Sequence, residues 1–281
     1  MTSLDKNQIK NKNHYEDLYS DFSIKSILWK LNNLESYLDD AIATDTSWNA
    51  LYQKDLRNRL KGKKVLEMGC GDCTNAAIMS ALGAEVYAND IADASGLIIN
   101  KLNEQYNFRF PIKFIKGDFL KNDLKAKQFD FVIGKAFLHH LTIPIEKKFL
   151  QETAKLLKKD GEARFFEPAV NNKFLDFIRW YIPVPGRPSK FRKNSFKEWK
   201  LKDPHPDRSF SSNHWELVGR EFFKQVEIIT IGSLERFSRI IKKKENKWKF
   251  RRWAFKSEKK LPKTINRSFS RSQLIIYKNP I

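Results

Sequence analysis

Hydrophobic residues follow three different rhythms along this 281-residue chain. Residues 1 to about 13 carry few of them and read as a mobile, Asn/Lys-rich leader. From Ile24 onward, Ile27, Leu28, Leu31, Leu34, Leu38 and Ile42 recur at the spacing of an amphipathic helix, and Trp48, Leu51, Tyr52, Leu56 and Leu60 set out a second one. Then the rhythm changes. Short apolar runs at residues 65–68, 85–88, 112–115, 129–133 and 163–167 read as strands. Helical stretches at 74–82, 94–106 and 145–157 separate them, and Asp160-Gly161 reads as the turn before the fifth strand. Such alternation implies a parallel sheet with helices on both faces.

After Glu167-Pro168 the alternation stops. Residues 169–212 combine Pro183, Pro185, Pro188, Pro204 and Pro206 with Phe174, Phe177, Trp180, Tyr181, Phe191, Phe196 and Trp199. A linker does not carry so many large apolar side chains, so the segment reads as an inserted cap. A helix resumes near Asn213, where Asn213 and Glu216 have the spacing of a capping box. Strands at 225–231 and 273–277 complete the pattern. The architecture expected is α/β, a doubly wound (Rossmann-like), mostly parallel seven-stranded sheet. N-terminal helices or a lid occupy residues 1–60, and the main domain spans 61–281, interrupted by the cap at 169–212 and a basic aromatic insertion at 234–271.

Charge adds a second theme. The net charge is +20, and residues 236–271 alone hold fifteen Lys/Arg against two Glu. The excess therefore marks one segment rather than the fold. There Lys242, Lys243, Lys244, Arg251 and Arg252 interleave with Trp248, Phe250, Trp253 and Phe255, while Leu234, Phe237, Ile240 and Ile241 start a helical pattern. Tryptophan beside lysine and arginine suits an anionic membrane surface. RNA is served by a similar mixture, through phosphate contacts and ring stacking; the bulk of the aromatics favours the membrane. Two cysteines, Cys70 and Cys73, argue against a disulfide framework. The first residues lack the apolar stretch of a secretory signal, and no run reaches the roughly 18 apolar residues of a membrane-spanning helix. A cytoplasmic protein, peripheral to the inner face of a membrane, is expected.

The chemistry concentrates where strands end. Val65-Leu66-Glu67-Met68-Gly69-Cys70-Gly71-Asp72 runs from an apolar strand through a carboxylate into two glycines, then a helix. Glycine allows the sharp turn and lets a ligand approach the backbone. A carboxylate there repels phosphate and suits an ammonium group. In a doubly wound sheet ligands bind beyond the carboxyl ends of the strands, which puts Glu67, Asp90, Asp118, residues 134–140 and Glu167 on one rim.

Glu67-x-Gly69-x-Gly71, Asp90, Gly117-Asp118-Phe119, Phe129-Asp130-Phe131-Val132-Ile133, Leu138-His139-His140-Leu141 and the Leu156–Gly161 turn occur in that order. Together they resemble the class I S-adenosylmethionine-dependent methyltransferases, in particular small-molecule enzymes with a Leu-His-His-Leu element, over roughly residues 60–170. The resemblance implies that Gly69 and Gly71 admit the amino acid end of S-adenosylmethionine, with Glu67 facing its ammonium. Asp90 would accept from the ribose hydroxyls, and Asp118 and Phe119 would flank adenine. Lys135 belongs to the same cofactor-binding set, standing where the family often has a small polar residue, and Cys73 replaces the third glycine. His140 is the candidate general base, with Glu167, His205 and His214 as weaker alternatives, and no metal is expected. Two rival readings of the loop are a nicotinamide site, which needs glycine where Thr74 stands, and a redox dithiol at Cys70-x-x-Cys73. Neither accounts for Glu67, Asp118 or the Leu-His-His-Leu element.

The expected function is methyl transfer to a small or lipid-linked acceptor (glycan, lipid or quinone-like). The cap would choose it, with Arg179, Arg187, Arg192 and Arg208 available to an acidic group. RNA methylation, or a non-catalytic nucleic-acid or membrane-binding module on the same fold, are the alternatives.

Overall fold

The computed structural model describes residues 6–183, 186–202 and 210–281. Five helices precede the sheet: α1 (Lys6–Tyr19), α2 (Lys25–Asn32), α3 (Leu34–Thr44), α4 (Thr46–Leu51) and α5 (Leu56–Arg59). The alternating part runs β1 (Lys64–Met68), α6 (Thr74–Ala81), β2 (Glu85–Asp90), α7 (Asp93–Gln105), β3 (Lys113–Lys116), β4 (Phe129–Lys135), α8 (Ile143–Leu156) and β5 (Leu157–Pro168). The cap supplies α9 (Lys173–Arg179) and α10 (Lys193–Lys202). Then follow α11 (Ser212–Gly219), β6 (Phe223–Ile231), α12 (Lys244–Glu258), α13 (Lys263–Phe269) and β7 (Ser272–Pro280).

The seven strands stand in the order β3-β2-β1-β4-β5-β7-β6. All neighbours are parallel except β7, which runs antiparallel between β5 and β6. Successive side chains on a strand point to opposite faces, and along the central strands both faces are dry. Val65, Phe131, Ile133, Leu274 and Ile276 join one core with Ile27, Leu38, Trp48 and Ile98. Leu66, Val132, Ile275 and Tyr277 join the other with Phe149, Leu150 and Trp215. Burial on both faces explains why the strands read as continuous apolar runs.

Several boundaries differ from the sequence reading. The stretch read as a mobile leader is largely helix α1, lying across the carboxyl ends of the strands. The long helix expected from Ile24 breaks at Asn33, whose φ of −120° ends α2. The next one breaks where Lys54 and Asp55 adopt positive φ. Asp160 and Gly161 sit inside a twelve-residue β5, as an irregularity in its pairing with β4. Ser211, not Asn213, caps α11 by accepting from the His214 amide. The helical pattern starting at Leu234 is a 3₁₀ turn, Glu235–Ile240, followed by α12.

Candidate active site

The strand order reverses between β1 and β4, and there a cavity of about 370 Å³ opens beyond the strand ends. Its floor is the turn after β1. Gly69 and Gly71 adopt φ of +64° and +54°, and a Cβ on the first would run into the Phe137 ring, while one on the second would sit 3.0 Å from the Tyr19 hydroxyl. Glu67 is buried beneath them. One of its oxygens accepts from Asn75 Nδ2 at 2.8 Å, and the other, equally buried, has no partner. Burial pushes its pKa up to about 8, against the opposing Asn75 hydrogen bond and the Lys135 charge. Asp90, at the end of β2, accepts from the Gly71 amide at 2.8 Å and the Ala92 amide at 2.9 Å, which ties the glycine turn to the start of α7. Phe119, fully buried, reaches the cavity wall and packs on Phe149 with ring centres 5.0 Å apart. Lys135 also lines the cavity, its ammonium 5.2 Å above the Trp48 ring.

Helix α1 forms the roof. Asn7, Gln8, Asn11, Tyr15 and Tyr19 all line the cavity. Glu16 anchors the helix by accepting from the Asp93 and Ala94 amides at 2.7 and 3.1 Å, at the positive end of α7. From the opposite wall His140 meets α1 with both ring nitrogens. Its Nδ1 lies 2.8 Å from Asn11 Oδ1, and its Nε2 3.3 Å from the Tyr15 hydroxyl. Asn11 Nδ2 donates to the Asn7 carbonyl, so Oδ1 is the acceptor and the imidazole proton belongs on Nδ1. Nε2 is then left to accept.

Glu167 performs a different task from the one considered for it. Fully buried, it accepts from the amides of Phe137, Leu138 and His139 at 3.0, 2.7 and 3.3 Å, and from His139 Nδ1 at 2.6 Å. It shapes the Leu-His-His-Leu turn and fixes the ring of His139, which also lines the cavity. His214 lies in the second core, on Glu146 Oε1 at 2.7 Å and stacked on Phe210, outside the cavity lining. His205 and Arg208 lie outside the described residues. Cys70 and Cys73 approach to 3.1 Å between sulfurs, but burial pushes both thiols up, opposite to the activated thiolate of a redox dithiol.

Residues 65–161 match the family of methyltransferase domains. The chain is also similar to the ubiquinone biosynthesis O-methyltransferase of Glaesserella parasuis, 33% identical over 113 residues, covering 39% of this chain and 47% of that protein. The match thus spans about half the length of that relative. Among solved structures, a SAM-dependent methyltransferase from Archaeoglobus fulgidus superposes with a TM-score of 0.51 at 16% identity, covering 81% of this chain and 91% of that one. Phosphoethanolamine N-methyltransferase 2 of Haemonchus contortus, solved with S-adenosyl-L-methionine, gives 0.51 at 13% identity, covering 92% and 60%. The match over residues 65–161 makes that part of the chain a methyltransferase domain, and the solved structures share its fold.

The residues around the cavity fit S-adenosylmethionine. The partnerless, buried Glu67 oxygen is an acceptor waiting for a cation, and the glycine turn leaves room that any side chain would fill. Asp90 keeps spare lone pairs beside those used by the two amides, and Phe119 offers an aromatic wall. Glu67, Gly69, Gly71, Asp90, Phe119, Lys135 and His140 all line the one cavity. Asp118 does not. It caps the short turn Phe119–Lys121 by accepting from the Leu120 amide at 3.1 Å, and lines a neighbouring shallow cleft. Following Gly117 at φ +96°, its Oδ1 serves its own turn and its Oδ2 lies 3.9 Å from the Lys121 ammonium. Sequence reasoning missed Asn11, Tyr15 and Tyr19, whose helix has no apolar stripe, and Asn75, hidden one turn along α6.

Proposed function

We propose that this methyltransferase moves a methyl group from S-adenosylmethionine to an oxygen of a small or lipid-linked acceptor with an apolar body, at a membrane surface. The cofactor supplies an electrophilic methyl carried on sulfur. The protein then has to align the acceptor, exclude water and remove the acceptor's proton. The observation that carries the reading is the contact of Tyr15, His140 and Asn11 on the wall of the cavity whose floor is the glycine turn. Asn11 holds the Nδ1 proton, so Nε2 accepts the proton of an acceptor hydroxyl, with the Tyr15 hydroxyl as its relay. Roofing by α1 keeps water from competing.

The similarity to a ubiquinone biosynthesis O-methyltransferase supports oxygen as the acceptor atom and a quinone-like acceptor. Exposed apolar side chains on the cap support the same choice, Phe174, Phe177 and Phe191 being 69%, 57% and 77% exposed. The basic segment supports the membrane. Of its four aromatics Phe255 is in the core, but Trp248 and Trp253 remain exposed, the former under Lys244. Among the described residues no helix is long and apolar enough to cross a membrane, so attachment would be to the surface.

Comparing lipids and metabolites with and without the gene for a methyl-sized mass difference tests the acceptor. Liposome flotation beside an RNA mobility shift, across a salt series, tests the surface. Salt-dependent RNA binding without liposome binding would replace the membrane reading by RNA methylation, and absence of S-adenosylmethionine binding at millimolar concentration would end the enzyme reading.

A further inference from the structure

Lys135 closes β4 at the point where the sheet meets the cavity. Among the described residues it is the one lysine or arginine on the cavity wall. It stands on the same sheet face as Glu67, because Glu67 pairs in register with Ile133 and Lys135 follows two residues on. Its ammonium lies 5.2 Å from the centre of the Trp48 ring, and Trp48 is itself packed against Tyr37 and Tyr52, ring centres 5.7 and 5.4 Å away. An aromatic face steadies the cation and leaves its hydrogen-bond donors unspent.

Three carboxyl groups line the same cavity, and each has another task. Asp72 accepts from the Thr74 amide at 3.0 Å, Asp90 from the Gly71 and Ala92 amides, and Glu67 from Asn75. Among the described residues, none of them comes within ion-pair distance of the Lys135 ammonium. Glu67 feels the Lys135 charge, yet burial outweighs it and pushes the carboxyl up to about 8, so the ligand-free protein holds it mostly neutral at pH 7. Lys135 therefore offers the cavity a positive charge that no carboxylate of the chain takes up.

Position decides which ligand meets that charge. The groups suited to the cofactor follow β1, β2 and β3, whereas β4 lies on the other side of β1 and Lys135 pairs with Phe166 of β5. Lys135 shares its turn with His140, and the turn is tightly set. Ala136 adopts φ +56° and donates to the Phe166 carbonyl at 2.7 Å, while Glu167 accepts from the next three amides. Lys135 and the candidate base are thus two points of one fixed frame, and Phe137, between them in sequence, also lines the cavity. A dianionic phosphate on this frame would meet Asp72 and Asp90 as well as the one ammonium. A single carboxylate matches the ammonium in charge.

We propose that Lys135 selects the acceptor, its ammonium pairing with a carboxylate on the molecule whose hydroxyl meets His140. The acceptor is then a hydroxy acid with an apolar body, and Lys135 is a specificity residue for it. The proposal rests on the methyltransferase reading for the fate of the hydroxyl, but not for the binding of the carboxylate. Pairing at a second point fixes the orientation of the reacting oxygen.

Two probes of one shape and different charge test the pairing: para-hydroxybenzoate and para-hydroxybenzamide, titrated calorimetrically at neutral pH with S-adenosylhomocysteine present. The wild-type chain should bind the carboxylate about tenfold more tightly than the amide, as one charge-assisted hydrogen bond gives. Lys135→Met keeps an apolar stem against Trp48 and should erase that preference, and Lys135→Arg should restore most of it. Equal affinity of the wild type for the two probes, with no binding of either included, would overturn the proposal, as would a preference that survives Lys135→Met. Titration of the same variants with S-adenosylmethionine and with its decarboxylated form shows that they fold and asks whether the ammonium serves the cofactor's own carboxylate. The same fold-change for both forms is expected in Lys135→Met; a loss of about tenfold confined to S-adenosylmethionine would overturn the assignment to the acceptor. The two readings fail separately. A wild-type chain that binds S-adenosylmethionine without preferring the carboxylate probe keeps the methyltransferase reading and loses this one, and a Lys135-dependent preference in a chain that binds no cofactor does the reverse.

Discussion

The two ends of the active-site rim are built from different materials. At the cofactor end, beyond β1 and β2, recognition comes from backbone conformation and buried groups: two left-handed glycines, a partnerless carboxylate oxygen and an aspartate tied to amides. At the proposed acceptor end, beyond β5 and β6, stand exposed rings and arginines on short helices of the cap and the basic segment. Backbone and buried charge leave little room for substitution, because each change meets a packed neighbour. Exposed side chains on an inserted segment can change without disturbing the sheet. On the proposed reading, this division goes with a fixed cofactor and a variable acceptor.

Breaking the cofactor end should have the larger effect. Gly69→Val adds a clash with Phe137 to a strained φ, and S-adenosylmethionine affinity should fall more than about 100-fold by calorimetry. Gly62→Ala is its control: φ is +73° but no atom lies within 4 Å, so it should lower the melting temperature and leave affinity alone. His140→Gln should reduce the single-turnover rate by about 100-fold with cofactor affinity nearly unchanged; an unaltered rate would remove His140 from the chemistry.

Glu67 gives a smaller, pH-dependent effect. Its folded pKa is raised to about 8 from an ordinary 4.5. Between those values the folded protein keeps a proton that the unfolded chain has released, so the contribution of Glu67 to ligand-free stability is greatest below pH 4.5 and falls as pH rises towards 8. A bound ammonium favours the carboxylate, so cofactor binding at pH 7 should release a proton, read as a binding enthalpy that varies with the buffer's ionisation enthalpy. Glu67→Gln should abolish that release and weaken affinity about tenfold, the loss of one charge-assisted hydrogen bond. The smallest effect is expected at the other end. Trp248→Ala with Trp253→Ala should weaken vesicle binding about threefold and leave cofactor affinity untouched, since both rings are exposed. A cofactor defect there would dissolve the distinction between the two ends.

The sheet and the glycine turn were legible in the sequence because their signals are local: apolar runs buried on both faces, and two glycines where φ must be positive. Helix α1 was not. Its buried residues are Gln8 and Asn11, polar side chains turned towards a cavity, so a search for apolar spacing passes over it. Glu167 was found on the rim but given the wrong kind of role, because the three amides that occupy it come from residues 137–139, which sequence spacing does not place. Asp118 shows the reverse limit. A motif places a residue on a rim, while the turn conformation decides whether its side chain faces the ligand or its own backbone. Arg164 shows the same for the interior: wholly buried between Ala163 and Phe165 of β5, it is held by Glu162 at 2.7 Å and the Gln53 carbonyl at 2.7 Å.

The roof ties assembly of the site to one helix. The fourteen-residue α1 carries Asn11 and Tyr15, which meet the two ring nitrogens of His140, and Glu16 holds it to the start of α7. On the proposed reading, the helix that covers the cavity also sets the tautomer of its base, so docking of α1 and assembly of the proton path are one event.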